Sequence, residues 1–207
     1  ACDASFYGAQ SDAFVAKLTP QGAGSTDLVY SIFLGGSFAD EALGIAVSAA
    51  HEAYVTGYTA SSDFPLVNPV QSVMGATTSY DAFVARIDAA GDALSFSTFF
   101  GGSAYDYGSR IAVDSAGDAY ITGWTRSDDL LSGVSGFTPL QGANNGSYDA
   151  FVAEMDTGSH TLVYATYLGG AETDTGQDIT LDSDGSVVIT GYSESADFLV
   201  ALLNDVR

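Results

Sequence analysis

Cationic side chains are scarce: the 207-residue chain carries 5 Lys and Arg against 26 Asp and Glu, a formal net charge of −21. Nucleic-acid binding and docking on an anionic membrane both need a basic footprint, so both are excluded. Cysteine is nearly absent as well. Cys2 stands alone, no internal disulfide can form, and in a secreted chain a lone cysteine points to pairing with another copy, a free thiol or an anchor. Proline numbers 4, and charged residues make up only 15% of a chain that is 46% hydrophobic, which excludes disordered and coiled-coil compositions. No apolar run approaches the roughly 20 residues that cross a bilayer as a helix, so no membrane insertion is expected. No signal peptide is visible, and Ala1 in place of Met is expected of a processed or incomplete chain.

What is plentiful is glycine, at 24, with 12 Tyr and 12 Phe. That mixture suits many short strands joined by tight turns. The segments also repeat. Asp12-Ala-Phe-Val-Ala-Lys-Leu18 returns as Asp81-Ala-Phe-Val-Ala-Arg-Ile87 and as Asp149-Ala-Phe-Val-Ala-Glu-Met155. Leu28-Val-Tyr-Ser-Ile-Phe-Leu-Gly-Gly36 returns from Leu94 to Gly102 and from Leu162 to Gly170, and Ile45-Ala-Val47 at Ile111 and Ile179. Tyr54-Val-Thr-Gly-Tyr58 matches Tyr120-Ile-Thr-Gly-Trp124 and Val188-Ile-Thr-Gly-Tyr192. The period is roughly 66 to 68 residues, and such self-similarity is the signature of a repeat architecture. Both parities of these strands are largely apolar, as in sheets covered on two faces, and no segment sustains a helical period.

Taken together, Asp-Ala-Phe-Val-Ala, Tyr-x-x-x-Leu-Gly-Gly and Ala-Tyr-Val/Ile-Thr-Gly-Tyr/Trp resemble the SBBP-type β-propeller repeat of bacterial and archaeal secreted and surface proteins. The resemblance runs over roughly residues 12 to 203 and implies an all-β propeller at the cell surface; it implies no reaction. Naming the strands of one blade a to d from the inside outward, Ile45–Val47 is strand a, Tyr54–Tyr58 strand b, Asp81–Ile87 strand c and Leu94–Phe99 strand d. Two blades are then complete, over 44–100 and 108–169. The N-terminus supplies only c and d (12–18, 28–34). The C-terminus supplies a and b (179–181, 187–192) and a c-like piece from Phe198 to Leu203. A single four-bladed domain over 12–207 is expected, its incomplete terminal blades completed by the termini or by a neighbouring subunit. Residues 1–11, with Phe6 and Tyr7, either pack on their own blade or donate a strand to a neighbour.

The strand order puts the d–a and b–c loops on one face and the a–b and c–d loops on the other. Asp40, Asp106 and Asp174 follow the Gly-Gly turns at equivalent d–a positions. They either ring the central channel and hold a cation such as Ca²⁺ or hydrogen-bond the backbone of their own turns; the second is expected, with no cofactor and no metal. His51 and His160 fall in turns on the opposite face, which argues against a Ser-His-Asp or His-metal set, and no enzyme activity is expected. Asp182-Ser-Asp-Gly185 resembles the start of a calcium loop but reads better as a turn. Asn145-Gly-Ser147 is both a turn signal and a glycosylation sequon. The long b–c loops, 59–80 and 125–148, carry Phe64, Pro65, Pro69, Phe137 and Pro139, expected to plug the blade tops. The expected role is that of a non-catalytic extracellular subunit of a filament or layer, assembling with copies of itself through Cys2, Phe6, Tyr7, Phe198, Leu199 and Leu202. The alternative is an adhesin that binds surface glycans with its long-loop face.

Overall fold

Each repeated segment sets aromatic and β-branched residues between Gly, Asp and Ser, a pattern that favours extended backbone closed by turns. In the computed structural model, which describes residues 10–198 except 23 and 77, these segments form strands. They are β1 (Ala13–Leu18), β2 (Leu28–Leu34), β3 (Asp40–Val47), β4 (Ala53–Thr59), β5 (Asp81–Ile87), β6 (Leu94–Phe100), β7 (Asp106–Val113), β8 (Ala119–Thr125), β9 (Asp149–Asp156), β10 (Thr161–Leu168), β11 (Asp174–Leu181) and β12 (Val187–Ser193). Strands β3-β4-β5-β6 and β7-β8-β9-β10 make two four-stranded antiparallel sheets, while β1-β2 and β11-β12 make two-stranded ones. The protein is therefore an all-β propeller with two whole blades flanked by half blades, as the repeat count predicts. Strand a is longer than expected and begins at the aspartate. Cys2, Phe6, Tyr7, Leu199 and Leu202 lie outside the described residues.

Adjacent residues of a strand enter different cores. Ala82 and Val84 of β5 join Phe96, Ile111, Ile121 and Phe151 between the second and third blades. Phe83, Ala85 and Ile87 join Val15, Ile32, Leu34 and Val55 between the first and second. A smaller core of Tyr120, Val152, Leu168 and Ile179 joins the third blade to the fourth. Each fully buried side chain of this size contributes about 1.5–3 kcal/mol, so inter-blade packing dominates stability. Phe64 is buried against Phe83 and Phe99, at 4.7 and 6.1 Å between ring centroids, and does plug the top of its blade.

Every a–b pair slips register at one place: between Ala42 and Gly44, Gly108 and Arg110, and Gly176 and Asp178. The extra residues, Leu43, Ser109 and Gln177, meet where the three inner strands converge and line an open depression of about 330 Å³ together with Arg110. Arg110 Nη1 donates to the Leu43 carbonyl at 2.6 Å. The Thr-Gly signature of strand b has its cause here. A Cβ on Gly57, Gly123 or Gly191 would stand 1.8, 1.7 or 2.0 Å from the carbonyl oxygen of Glu41, Tyr107 or Thr175 on the bulged neighbour.

One phase assignment is corrected. The Phe198 amide donates to Ser195 O at 3.3 Å, as the Phe64 amide donates to Ser61 O at 3.0 Å, and Asp197 holds the Ala171 amide as Asp63 holds that of Ser37. Phe198 is thus the counterpart of Phe64 in a b–c loop, not the opening of a c strand. Its match to Phe83 was an accident of one shared aromatic.

Candidate functional site

The Gly-Gly turn that passes the chain from one blade to the next is held by carboxylates and an amide. Between the second and third blades the Gly101 amide donates to Gln71 Oε1 at 3.1 Å, Gly102 to Asp106 Oδ2 at 2.7 Å and Ser103 to Asp129 Oδ1 at 2.8 Å. Asp106 also accepts from the Thr125 and Ser127 hydroxyls. Asp81 Oδ2 accepts from Gly75 N at 2.9 Å and from Gln71 Nε2 at 3.3 Å. The next junction repeats the arrangement with Gln141, Asp149, Gly169, Gly170, Asp174 and Asp197. Gln71 and Gln141 were missed in the sequence, although Pro-x-Gln recurs at 69–71 and 139–141 and would have marked them. Burial pushes Asp81 up to about 7 and Asp106 up to about 6, and the mutual repulsion of the two adds to the shift at Asp81. Asp81 and Asp149 each keep Oδ1 buried with no hydrogen-bond partner.

These contacts include the turn hydrogen bonds expected of Asp40, Asp106 and Asp174. All three are buried, each accepting an amide of its own Gly-Gly turn at 2.7 Å. None of the three lines the axial depression, which is bounded by Leu43, Ser109, Arg110 and Gln177. Among the described residues no three His, Cys, Asp or Glu side chains gather as a metal-ligand set. His51 and His160 have φ of 65° and 61°, and His51 shares the left-handed turn position of Gly117 and Gly185. His160 is not simply solvated: its ring stacks on Phe96, with centroids 6.1 Å apart. The Asp182 amide bonds Ser186 O at 2.8 Å, a strand-joining turn as expected. Asn145 is exposed, and its amide bonds Asp149 Oδ2.

On the d–a and b–c loop face six aromatic rings form one continuous strip across the second and third blades. Tyr105 meets Tyr80 at 5.6 Å; Tyr80 meets Tyr58 at 5.1 Å and Tyr107 at 5.7 Å. Tyr107 stacks on its cross-strand neighbour Trp124 at 4.1 Å, and Trp124 meets Tyr148 edge-on at 5.0 Å. Arg126 lies over the Tyr148 ring at 5.2 Å, and the Tyr58 hydroxyl donates to Glu41 at 2.6 Å. Desolvation pushes Tyr107 up to about 12. The b-strand aromatic was visible in the repeat, and Ser-Tyr-Asp at 79–81 and 147–149 would have flagged two more rings. Their convergence from neighbouring blades was not.

The half blades expose what the whole blades bury. Strands β4 and β8 are covered along nearly their full length, whereas β12, with the same Thr-Gly signature, is open: Val188 is 48% and Tyr192 51% exposed. Phe14 of β1 is likewise 67% exposed, where its counterparts Phe83 of β5 and Phe151 of β9 are buried. Among the described residues β12 pairs only with β11.

The SBBP β-propeller repeat model matches residues 96–130 and 163–198. Both matches run from strand d through the Gly-Gly turn and strands a and b to the aspartate loop, so the unit that the family describes spans a blade junction and contains Asp106 and Asp129 in the first match and Asp174 and Asp197 in the second. No curated protein matches the chain. No helix among the described residues is long and apolar enough to cross a membrane.

Proposed function

We propose that this chain is a non-catalytic extracellular structural protein, a subunit of a surface filament or layer whose copies join partly by β-strand pairing at the open blade edges. The observation that carries the reading is β12. It shares the Ile-Thr-Gly signature of β8, but among the described residues no c strand pairs with it as β9 pairs with β8, and such an edge is a template for an added strand. In β8 that added strand is β9, paired from Ala119↔Met155 to Thr125↔Asp149. β1 bears the same Ala-Phe-Val-Ala core as β9 and, among the described residues, is itself paired on one side only, with β2. A second copy therefore carries a segment matched to the edge. Surface location is supported by the SBBP repeat match and by an acidic, nearly cysteine-free composition. A non-catalytic role is supported by the carboxylates, which are engaged in holding turns, and by the histidines, which lie in separate turns.

Light scattering of the purified chain over a range of concentrations, with negative-stain microscopy, tests the reading. The wild-type chain is expected to form extended assemblies, and a Val188→Lys, Tyr192→Lys variant to remain monomeric with an unchanged far-ultraviolet spectrum. A wild-type chain that stays monomeric at the highest attainable concentration overturns it.

A further inference from the structure

We propose that the strip of Tyr105, Tyr80, Tyr58, Tyr107, Trp124 and Tyr148 is a binding site for a neutral polysaccharide, distinct from the edges through which copies pair. The rings come from d–a loops, b–c loops and the ends of strands a and b in two blades, so the rigid sheets fix their spacing. Tyr105 is 37% exposed and the other five are half-buried, so part of the strip reaches water. A large aromatic surface kept at the solvent boundary, rather than in one of the three cores, marks an interaction site. Tyr and Trp suit this place because they join apolar area to a polar tip.

Charge narrows the ligand class. With a net charge of −21 the protein repels polyanions, which leaves neutral or cationic partners. The positive charge at the strip is already supplied by the chain: Arg126 covers Tyr148. What the rest of the strip offers is a shallow run of ring surface with centroids 4.1 to 5.7 Å apart, edged by phenolic hydroxyls and the Glu41 carboxylate. The ligand that matches is a chain of pyranose rings. Its axial C–H faces are apolar and weakly positive and pack on the negative faces of aromatic rings, while its hydroxyls bond to Tyr oxygens, Glu41 and Arg126. A protein partner is the poorer match, because aromatic anchors of protein interfaces sit in deep, fully desolvated pockets.

The chain's 1 Trp is Trp124, in the middle of the strip, so its fluorescence reports on this site alone. Titration with hydroxyethyl cellulose and with galactomannan is expected to change Trp124 emission saturably for at least one of them, and to retard the protein in gels that contain it. Tyr105→Ala, at the most exposed ring, is expected to weaken that binding by up to about tenfold, the worth of one aromatic contact. The Val188→Lys, Tyr192→Lys variant should bind as the wild type does, so loss of assembly and loss of binding are read separately. No emission change and no retardation with either polysaccharide overturns the proposal. So does binding that Tyr105→Ala leaves intact, or an emission response to polylysine alone, which would make the strip a receptor for cationic chains.

Discussion

Asp81 combines a repeated position with a cost. Its carboxylate secures Gly75 and Gln71, yet it is wholly buried, close to Asp106, and has one oxygen without a partner. Desolvation raises its pKa from 3.8 to about 7, and that of Asp106 to about 6. A folded-state value above the unfolded one means that the native state binds the proton more tightly, so stability falls as pH rises from near 4 to near 7 and levels off above. Between pH 6 and 8 few other groups titrate, since the chain has only 2 His. The midpoint of thermal unfolding is therefore expected to drop over that window, and Asp81→Asn to flatten the drop; equal slopes in the two proteins would show that the burial carries no such penalty. Gly123 is constrained by space instead. An added methyl must displace the Tyr107 carbonyl of the bulge, and Gly123→Ala is expected to destabilise by about 1–3 kcal/mol in urea titrations. A cost below a few tenths would mean that the bulge relaxes freely.

Strands β8 and β12 share an Ile-Thr-Gly signature but not an environment, and amide exchange reports the difference. β8 is paired on both sides, whereas among the described residues β12 pairs only with β11, and its Val188 and Tyr192 are about half exposed. In a monomeric preparation the outward amides of β12 are expected to exchange orders of magnitude faster than those of β8, because local opening costs less at an edge. Uniform protection would mean that another segment of the same chain covers β12. The strands themselves were legible in the sequence, because Asp-Ala-Phe-Val-Ala and Thr-Gly-Tyr recur whole and their two apolar faces announce blades stacked on both sides. The carboxylate positions were legible as well, and the hydrogen bonds expected from Asp40, Asp106 and Asp174 to their own turns are present. Two things were not legible. The phase of Phe198 was hidden because an Asp-x-Phe strand start and an Asp-Phe loop look alike until the Ser195 and Ala171 contacts are seen. The aromatic strip was hidden because its members are separated in sequence and meet only when two blades pack side by side.

At the scale of the whole molecule, charge sets the terms of association. The proposed assembly through matched strands would bring together copies that each carry a formal charge of −21. Only one salt bridge, Arg86 to Glu52 at 2.8 Å, is found among the described residues, and it lies inside a single blade. Pairing of β12 with the β1 of another copy would set Lys17 opposite Val188, by the register in which β9 meets β8, so the contact gains no new ion pair to offset the repulsion. Its attraction comes from apolar burial and backbone hydrogen bonds, neither of which weakens as salt is added. The repulsion does weaken, since the Debye length falls to about 10 Å at 0.1 M and shorter beyond that. Assembly measured by light scattering is therefore expected to strengthen steadily from low to high sodium chloride, and the Val188→Lys, Tyr192→Lys variant to show no such gain. Assembly that dissolves as salt rises would mean that copies meet through opposite charges. The few cations, Lys17 and Arg126 first among them, would then be the residues to mutate in place of the β12 edge.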